Sequence, residues 1–392
     1  VCVGELLQQK YDIAVTNPPY MGSSGFNSTL STFAKKNYKN SKSDLFAMFI
    51  ERWNHALNFD GYNSMVTMQS WMFLSSYESM RKNIISKLTI TNLMHMENMV
   101  MGIAFGTAVT IFKKNYLKGF KGTYHQIKFK DISQKDSPKS LPITGNRFNQ
   151  ISQDEFTKIP GQPISYWVSE NLIHDFVIGK RMDEVVTPKV GLQTGDNNYF
   201  LREWWEVEHD KIKFDAKSIP DAVESGKKWF PYNKGGSFRR WYGNYDYVVN
   251  WENDGQEIRN FVDDKGKLRS RPQNTEYYFK EAITWPLITS GGLSVRYREY
   301  GSIHDVSGMS AFSDNVDVIY YIIGMLNTPL GNNILRILNP TINSQIGDFR
   351  NIPVIVNQKY EIINFVQQAI LLTKEDWDLN ENTWNFKISP LI

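Results

Sequence analysis

Cysteine is nearly absent: Cys2 is the one thiol in 392 residues. That excludes a disulfide framework and any cysteine-based zinc cluster, and it suits the reducing cytosol. No apolar run reaches the roughly 18 residues that a membrane-crossing helix needs, and no secretory leader pattern is present. A cytoplasmic chain without a membrane partner is therefore expected. Internal repeats and low-complexity tracts are also missing. Acidic charge is sparse in the first part of the chain. Up to residue 150 there are 18 Lys and Arg against 9 Asp and Glu, and beyond it 26 against 32. The early basic excess is compatible with a polyanionic partner without establishing one. Aromatic residues, by contrast, are plentiful, with 11 Trp and 20 Tyr, enough for a substantial core. The length suggests about two to three domains. The chain opens on Val1 rather than an initiator Met, and its first strand follows almost at once, so it reads as the carboxyl-terminal part of a longer protein.

That first strand is Ile13-Ala14-Val15 in YDIAVTNPPYMG, expected to be short and buried. Pro18 and Pro19 cannot donate to a sheet ladder and must stop it. An Asn, two rigid carbonyls and a Tyr ring then sit at the carboxyl end of a strand, the rim where ligands bind in open α/β sheets. Asp12 precedes the strand and reads as no more than its cap. Residues 21–44 are rich in Ser, Asn, Gly and Lys and read as a long mobile loop. Leu45, Phe49, Trp53, Ala56 and Leu57 lie at helical spacing behind an N-cap at Ser43 or Asp44. YNSMVTMQS reads as a strand, Ser75 with Glu78 as a capping box opening a helix to Leu88, and LTITNLMHM and Thr107–Phe112 as an antiparallel pair of strands. The order strand, helix, strand, helix, strand, strand predicts the second half of a doubly wound α/β sheet over residues 1–130. Polar, proline-bearing residues 131–146 read as a linker. Residues 147–392 read as an α+β domain of short strands, with helices near 314–327 and 359–373. His55 and His95 lie on apolar-patterned segments and read as structural, and no metal is expected.

TNPPY after an apolar strand resembles the [DNS]PP[YFW] signature of S-adenosylmethionine-dependent amino-methyltransferases, in the Asn form of the N6-adenine class. VTMQSWMFLSSYESMRKNI and GIAFGTAVTIFKK resemble the strand, helix and late hairpin of such enzymes. TGDNNYFLR, KWFPYNKGGSFRRWYGNYDYVVNW and NPTINSQIGDFRNIPV resemble the target-recognition region of large bacterial members. The ordered set is similar to the adenine-specific methyltransferases of BREX phage-exclusion systems (PglX type). This resemblance implies a Rossmann-like sheet, S-adenosylmethionine as cofactor, double-stranded DNA as partner with other phage-defence proteins possible, and base flipping before methyl transfer. It assigns catalysis to Asn17, Pro18, Pro19 and Tyr20. The Asn17 side-chain oxygen and the Pro18 carbonyl would accept the adenine N6–H bonds, and Tyr20 would stack on the base. Phe105 would be either a second wall or a core residue. One departure stands out. The family's glycine-rich cofactor turn should precede NPPY, and VCVGELLQQK holds none, so this chain alone is expected to lack the main cofactor site and to be inactive.

Residues 227–247 combine five basic and eight aromatic residues. Lys227, Lys228, Lys234, Arg239 and Arg240 are candidates for phosphate contact, and Trp241 for core packing or base stacking. Arg296 and Arg298 are further candidates. Three alternatives remain at this point. One is a combined restriction-modification enzyme. Another is a release-factor glutamine methyltransferase, disfavoured by the long region past the linker. The third is a non-catalytic DNA-binding or docking module.

Overall fold

The computed structural model describes residues 2–133, 147–288, 291–340 and 344–389. The chain is mixed α/β and forms two compact units, residues 1–178 and 179–392. In the first, the elements run α1 (Cys2–Gln8), β1 (Tyr11–Thr16), α2 (Ser28–Asn37), α3 (Leu45–Ala56), β2 (Leu57–Met68), α4 (Glu78–Lys87), β3 (Thr89–Met96), β4 (Thr107–Lys113), β5 (Lys121–Ile127), α5 (Phe129–Ser133), β6 (Phe148–Ser152) and α6 (Glu170–Ile178). The strands form one sheet in the order β1-β2-β4-β3-β5-β6. β1 pairs with β2 in parallel, and β4 lies antiparallel to both its neighbours. Phe46, Trp71, Phe112, Tyr124 and Phe156 fill the core.

Several expectations are corrected here. Among the described residues β1 pairs only with β2, so it ends the sheet. Ala14 is buried, but Ile13 and Val15 are 67% and 73% exposed. Apolar content alone cannot tell a covered strand from an end strand with an uncovered face. The supposed loop 21–44 contains α2, capped by Asn27, whose side chain accepts from Leu30 N. On α3 the buried face is Phe46, Ala47, Met48, Ile50, Asn54 and Ala56, because LFAMFI is apolar nearly all round and its spacing leaves the face undetermined. Ser75 and Glu78 form no capping box: residues 75–77 make a 3₁₀ turn and α4 starts at Glu78 without a side-chain cap. Most of the expected linker lies outside the described residues. The first unit nevertheless extends to residue 178, because β6 pairs with β5 and Phe156, Ile164 and Tyr166 join its core. Polar composition marked a break in secondary structure, whereas strand pairing and burial set the unit.

The second unit runs β7 (Lys180–Arg181), α7 (Met182–Val185), β8 (Thr187–Lys189), α8 (Asn197–Phe200), β9 (Leu201–Glu203), α9 (Ile219–Glu224), β10 (Trp229–Asn233), β11 (Tyr247–Asn250), α10 (Glu252–Arg259), β12 (Ala282–Pro286), β13 (Arg296–Arg298), β14 (Ile303–His304), β15 (Gly308–Phe312), α11 (Val316–Leu326), α12 (Pro329–Leu338), α13 (Ile346–Arg350), β16 (Pro353–Val354) and α14 (Lys359–Asp378). Two four-stranded sheets, β14-β10-β11-β9 and β13-β12-β15-β8, dominate it. Fully buried Asn233 on β10 ties them together, donating to Thr284 Oγ1 on β12 at 2.6 Å and to Ser310 Oγ on β15 at 3.4 Å.

Candidate functional site

The prolines end β1, and the chain leaves the sheet with Asn17 and Pro19 exposed, Pro18 buried and Tyr20 half-buried. The Tyr20 hydroxyl donates to Val66 O on β2 at 3.1 Å and lies 3.3 Å from Asn17 Oδ1. Burial raises its pKa, so it remains a protonated donor. A carbonyl oxygen carries two lone pairs, so Asn17 Oδ1 can meet Tyr20 and still accept from a ligand. The Tyr20 ring meets Phe46 edge-on at 6.2 Å and Phe105 at 5.8 Å. Asn17, Tyr20 and Phe105 are thus brought together at the carboxyl end of β1.

Two supports of this rim go beyond the sequence reading, which offered Asp44 as one of two N-caps of α3 but not its tie to NPPY. Asp44 caps α3 through Phe46 N at 3.2 Å, and the same Oδ1 accepts from Met21 N at 3.1 Å. Leu45 N in turn donates to Met21 O at 3.1 Å. The buried carboxylate therefore clamps the exit of NPPY to the start of a helix. Burial raises its pKa, and these backbone N–H groups oppose the rise. The second support is a chain of polar groups behind Phe105. Gln69 N donates to Gly106 O at 3.0 Å. The Gln69 side-chain oxygen accepts from His95 Nε2, and His95 Nδ1 accepts from Tyr166 OH at 3.2 Å. Burial lowers the His95 pKa to about 4, so the ring is neutral, with its proton on Nε2 because Gln69 Oε1 can only accept. Nothing in the local pattern around Gln69 announces this role.

A cavity of about 340 Å³, lined by residues including Asn54, His55, Met80, Lys87 and Lys114, belongs to the same unit, but no rim residue lines it. No group of three or more His, Cys, Asp or Glu is placed to hold a metal ion among the described residues. The glycines Gly61, Gly106 and Gly122 face Asp12 O, the Gln69 amide and Ile90 O, so protein atoms already occupy the space beside these three.

In the second unit the basic candidates occupy three stations. Lys227 and Lys228 precede β10, where Lys227 Nζ donates to Asp210 O and Lys228 Nζ lies 5.9 Å from the Trp229 ring. Lys234 follows the strand, 4.6 Å over Tyr247, beside open polar grooves that also involve Asn197, Arg202 and Asp305. Arg202, which sequence reasoning missed, lies 5.8 Å over Trp229. Arg239 and Arg240 stand on the loop between β10 and β11. Arg239 lies 4.8 Å over Trp377 and 3.6 Å from Asp376, and Arg240 lies 5.4 Å over Phe238. Trp241 is half-buried and tied to β13, donating to Val295 O at 3.0 Å and accepting from Tyr297 N at 2.8 Å.

Arg296 and Arg298 are not DNA contacts, contrary to expectation, because both are buried on β13. Arg296 donates to Gly235 O and to Arg239 O. Arg298 donates to Ser302 Oγ at 2.9 Å and Asn244 O at 3.2 Å, and stacks 3.6 Å over Tyr245. Burial pulls down both pKa values. Their charge meets the protein's own carbonyls rather than phosphate, which neither composition nor spacing reveals.

Residues 5–100, which carry the strand-end NPPY rim, match the Eco57I restriction-modification methylase family. Over its whole length the chain is a homologue of adenine-specific methyltransferases. It is 37% identical to PglX of Lacticaseibacillus casei (strain Zhang), covering 100% of this chain and 33% of that protein. It is also 37% identical to BrxX of Escherichia coli O9:H4 (strain HS), covering 99% of this chain and 31% of that one. The chain thus spans about a third of these relatives. Among solved structures it shares its fold with the Type IIL restriction-modification enzyme MmeI in complex with DNA, with a TM-score of 0.55, 13% identity, and coverage of 95% of this chain and 50% of that one. A nuclease-deletion mutant of the Type ISP enzyme LlaGI with a DNA substrate mimic gives 0.51, 14%, and coverage of 94% and 42%. No helix among the described residues is long and apolar enough to cross a membrane.

Proposed function

We propose that the protein carrying this chain methylates adenine N6 at specific sites in double-stranded DNA, with the base extruded into the NPPY rim, and that the mark labels host DNA as self in phage defence. The observation that carries the reading is the grouping of an exposed amide oxygen at Asn17 with the rings of Tyr20 and Phe105 at one strand end. An exocyclic amine is a poor nucleophile because its lone pair is delocalised into the ring. Asn17 Oδ1 and the Pro18 carbonyl accept its two N–H bonds, draw the lone pair out of conjugation and align it, and the prolines fix both directions. Tyr20 stacks on the base, recovering part of the few kcal/mol that extrusion costs, and Phe105 braces Tyr20. S-adenosylmethionine supplies the methyl group when bound. In this reading the chain's own part is to hold the base and its protons. The second unit serves as target-recognition domain, with Lys227, Lys228, Lys234, Arg239 and Arg240 on phosphates.

The test is Asn17→Ala in the intact protein. Methyl transfer to DNA is expected to fall by about two orders of magnitude or more, with DNA affinity retained. Undiminished turnover in that variant would remove Asn17 from the chemistry.

A further inference from the structure

The loop from Lys234 to Asp246, between β10 and β11, is built at unusual cost. Gly235, Gly236, Trp241, Gly243 and Asn244 all adopt positive φ, with Trp241 at 72° and Asn244 at 60°. Two guanidinium groups are buried to serve it. Arg296 holds the carbonyls of Gly235 and Arg239, and Arg298 that of Asn244. The Asn244 amide adds bonds to Gly235 O and Ser237 O, each 2.9 Å. From another side α14 closes on it, with Trp377 so near Gly243 that a Cβ there would sit 2.9 Å from the ring. A solvated connection needs none of this, and strained backbone held by over-determined surroundings clusters at functional sites.

What the mount presents is Phe238. The residue is 49% exposed at the tip, while the flanking strands are mostly buried. It is seated against the backbone of Gly291, where a Cβ would lie 2.9 Å from Phe238 Cδ2. The Arg240 guanidinium lies over the same ring. Between residues 234 and 241 there are three cationic residues and no acidic one, so the tip suits a polyanion that also offers flat apolar faces.

We propose that Phe238 is a base-contacting wedge of the DNA surface. The ring enters a groove and stacks on or between bases, Arg240 beside it pairs with phosphate, and Arg296 and Arg298 are positioning residues that keep the tip rigid. This rests on the DNA-methylation reading above and adds to it the element that touches bases.

The experiment uses the intact protein and a duplex carrying a site that the wild type methylates, found by mapping N6-methyladenine in DNA exposed to it. Phe238→Ala is expected to bind that duplex about ten-fold more weakly, with an unchanged dependence of log affinity on log salt. Phe238→Trp should retain affinity. Gly291→Ala, which unseats the ring without altering charge, should weaken binding in the same sense. Arg240→Gln should lower the salt slope by about one. Because Phe238 is half exposed, its removal leaves the fold intact, which circular dichroism and melting temperature check. If Phe238→Ala binds within about two-fold of wild type and methylates as fast, the wedge is wrong. A wild type that transfers no methyl group would sink the functional reading instead, and the wedge is then judged by the same criterion on mixed-sequence duplex.

Discussion

Gly106→Ala tests whether the polar chain behind Phe105 is as tightly determined as its geometry indicates. The added methyl would lie 2.5 Å from both Nε2 and Oε1 of Gln69, about 1 Å inside ordinary contact. A glutamine amide normally swings aside cheaply. Here its oxygen accepts from His95 Nε2, and Tyr166 fixes the other side of that ring. Relief must either break the Gln69–His95 bond, leaving a buried donor unpaired at about 1–3 kcal/mol, or shift the start of β4 at the roughly 1–3 kcal/mol of an overpacked core. The expected loss is on the order of 1–3 kcal/mol. In a unit of this size, each kcal/mol moves the melting temperature by about 2–4 °C, so a drop of roughly 2–12 °C is expected in thermal denaturation of the intact protein. Methyl transfer should fall too, because Phe105 precedes the displaced residue. Gln69→Ala removes the obstacle. The double variant should be no less stable than Gln69→Ala alone, a coupling of about 2 kcal/mol in a double-mutant cycle. Additive losses, or a Gly106→Ala protein that melts with the wild type, would refute the reasoning.

Two further outcomes are expected. His95 is held near pKa 4 from an ordinary 6.5 by burial. Its folded pKa is depressed, so the stability it confers is complete above pH 6.5 and is lost as pH falls from there towards 4, about 2 kcal/mol of it by pH 5. The melting temperature of the first unit should decline over that window, and His95→Asn should flatten the decline. Arg296→Met leaves Arg239 O without its side-chain donor, at about 1–3 kcal/mol, and Gly235 O with the Asn244 amide alone, partly offset by relief of a desolvated cation. It should lower the melting temperature of the second unit while leaving the salt slope of DNA binding unchanged. A reduced slope would return Arg296 to the phosphate contacts.

The sequence by itself determined the identity of the rim. Proline has no N–H to donate, so Pro18 and Pro19 had to end a strand and leave Asn17 and Tyr20 at its carboxyl end. That follows from covalent chemistry and needs no neighbour. The antiparallel pair after it and the helices near 314–327 and 359–373 were also legible, because periodicity and turn residues act within a few positions. Burial was decided only in three dimensions. Ile13 and Val15 are as apolar as core residues but lie on an end strand. Arg296 and Arg298 are as basic as phosphate ligands but spend their charge on Gly235, Arg239 and Asn244. Asp44, Gln69 and His95 support the rim through partners that lie 23, 26 and 71 residues away in the chain. Local sequence fixes what a residue can donate or accept, and only the folded chain decides what is within reach to receive it.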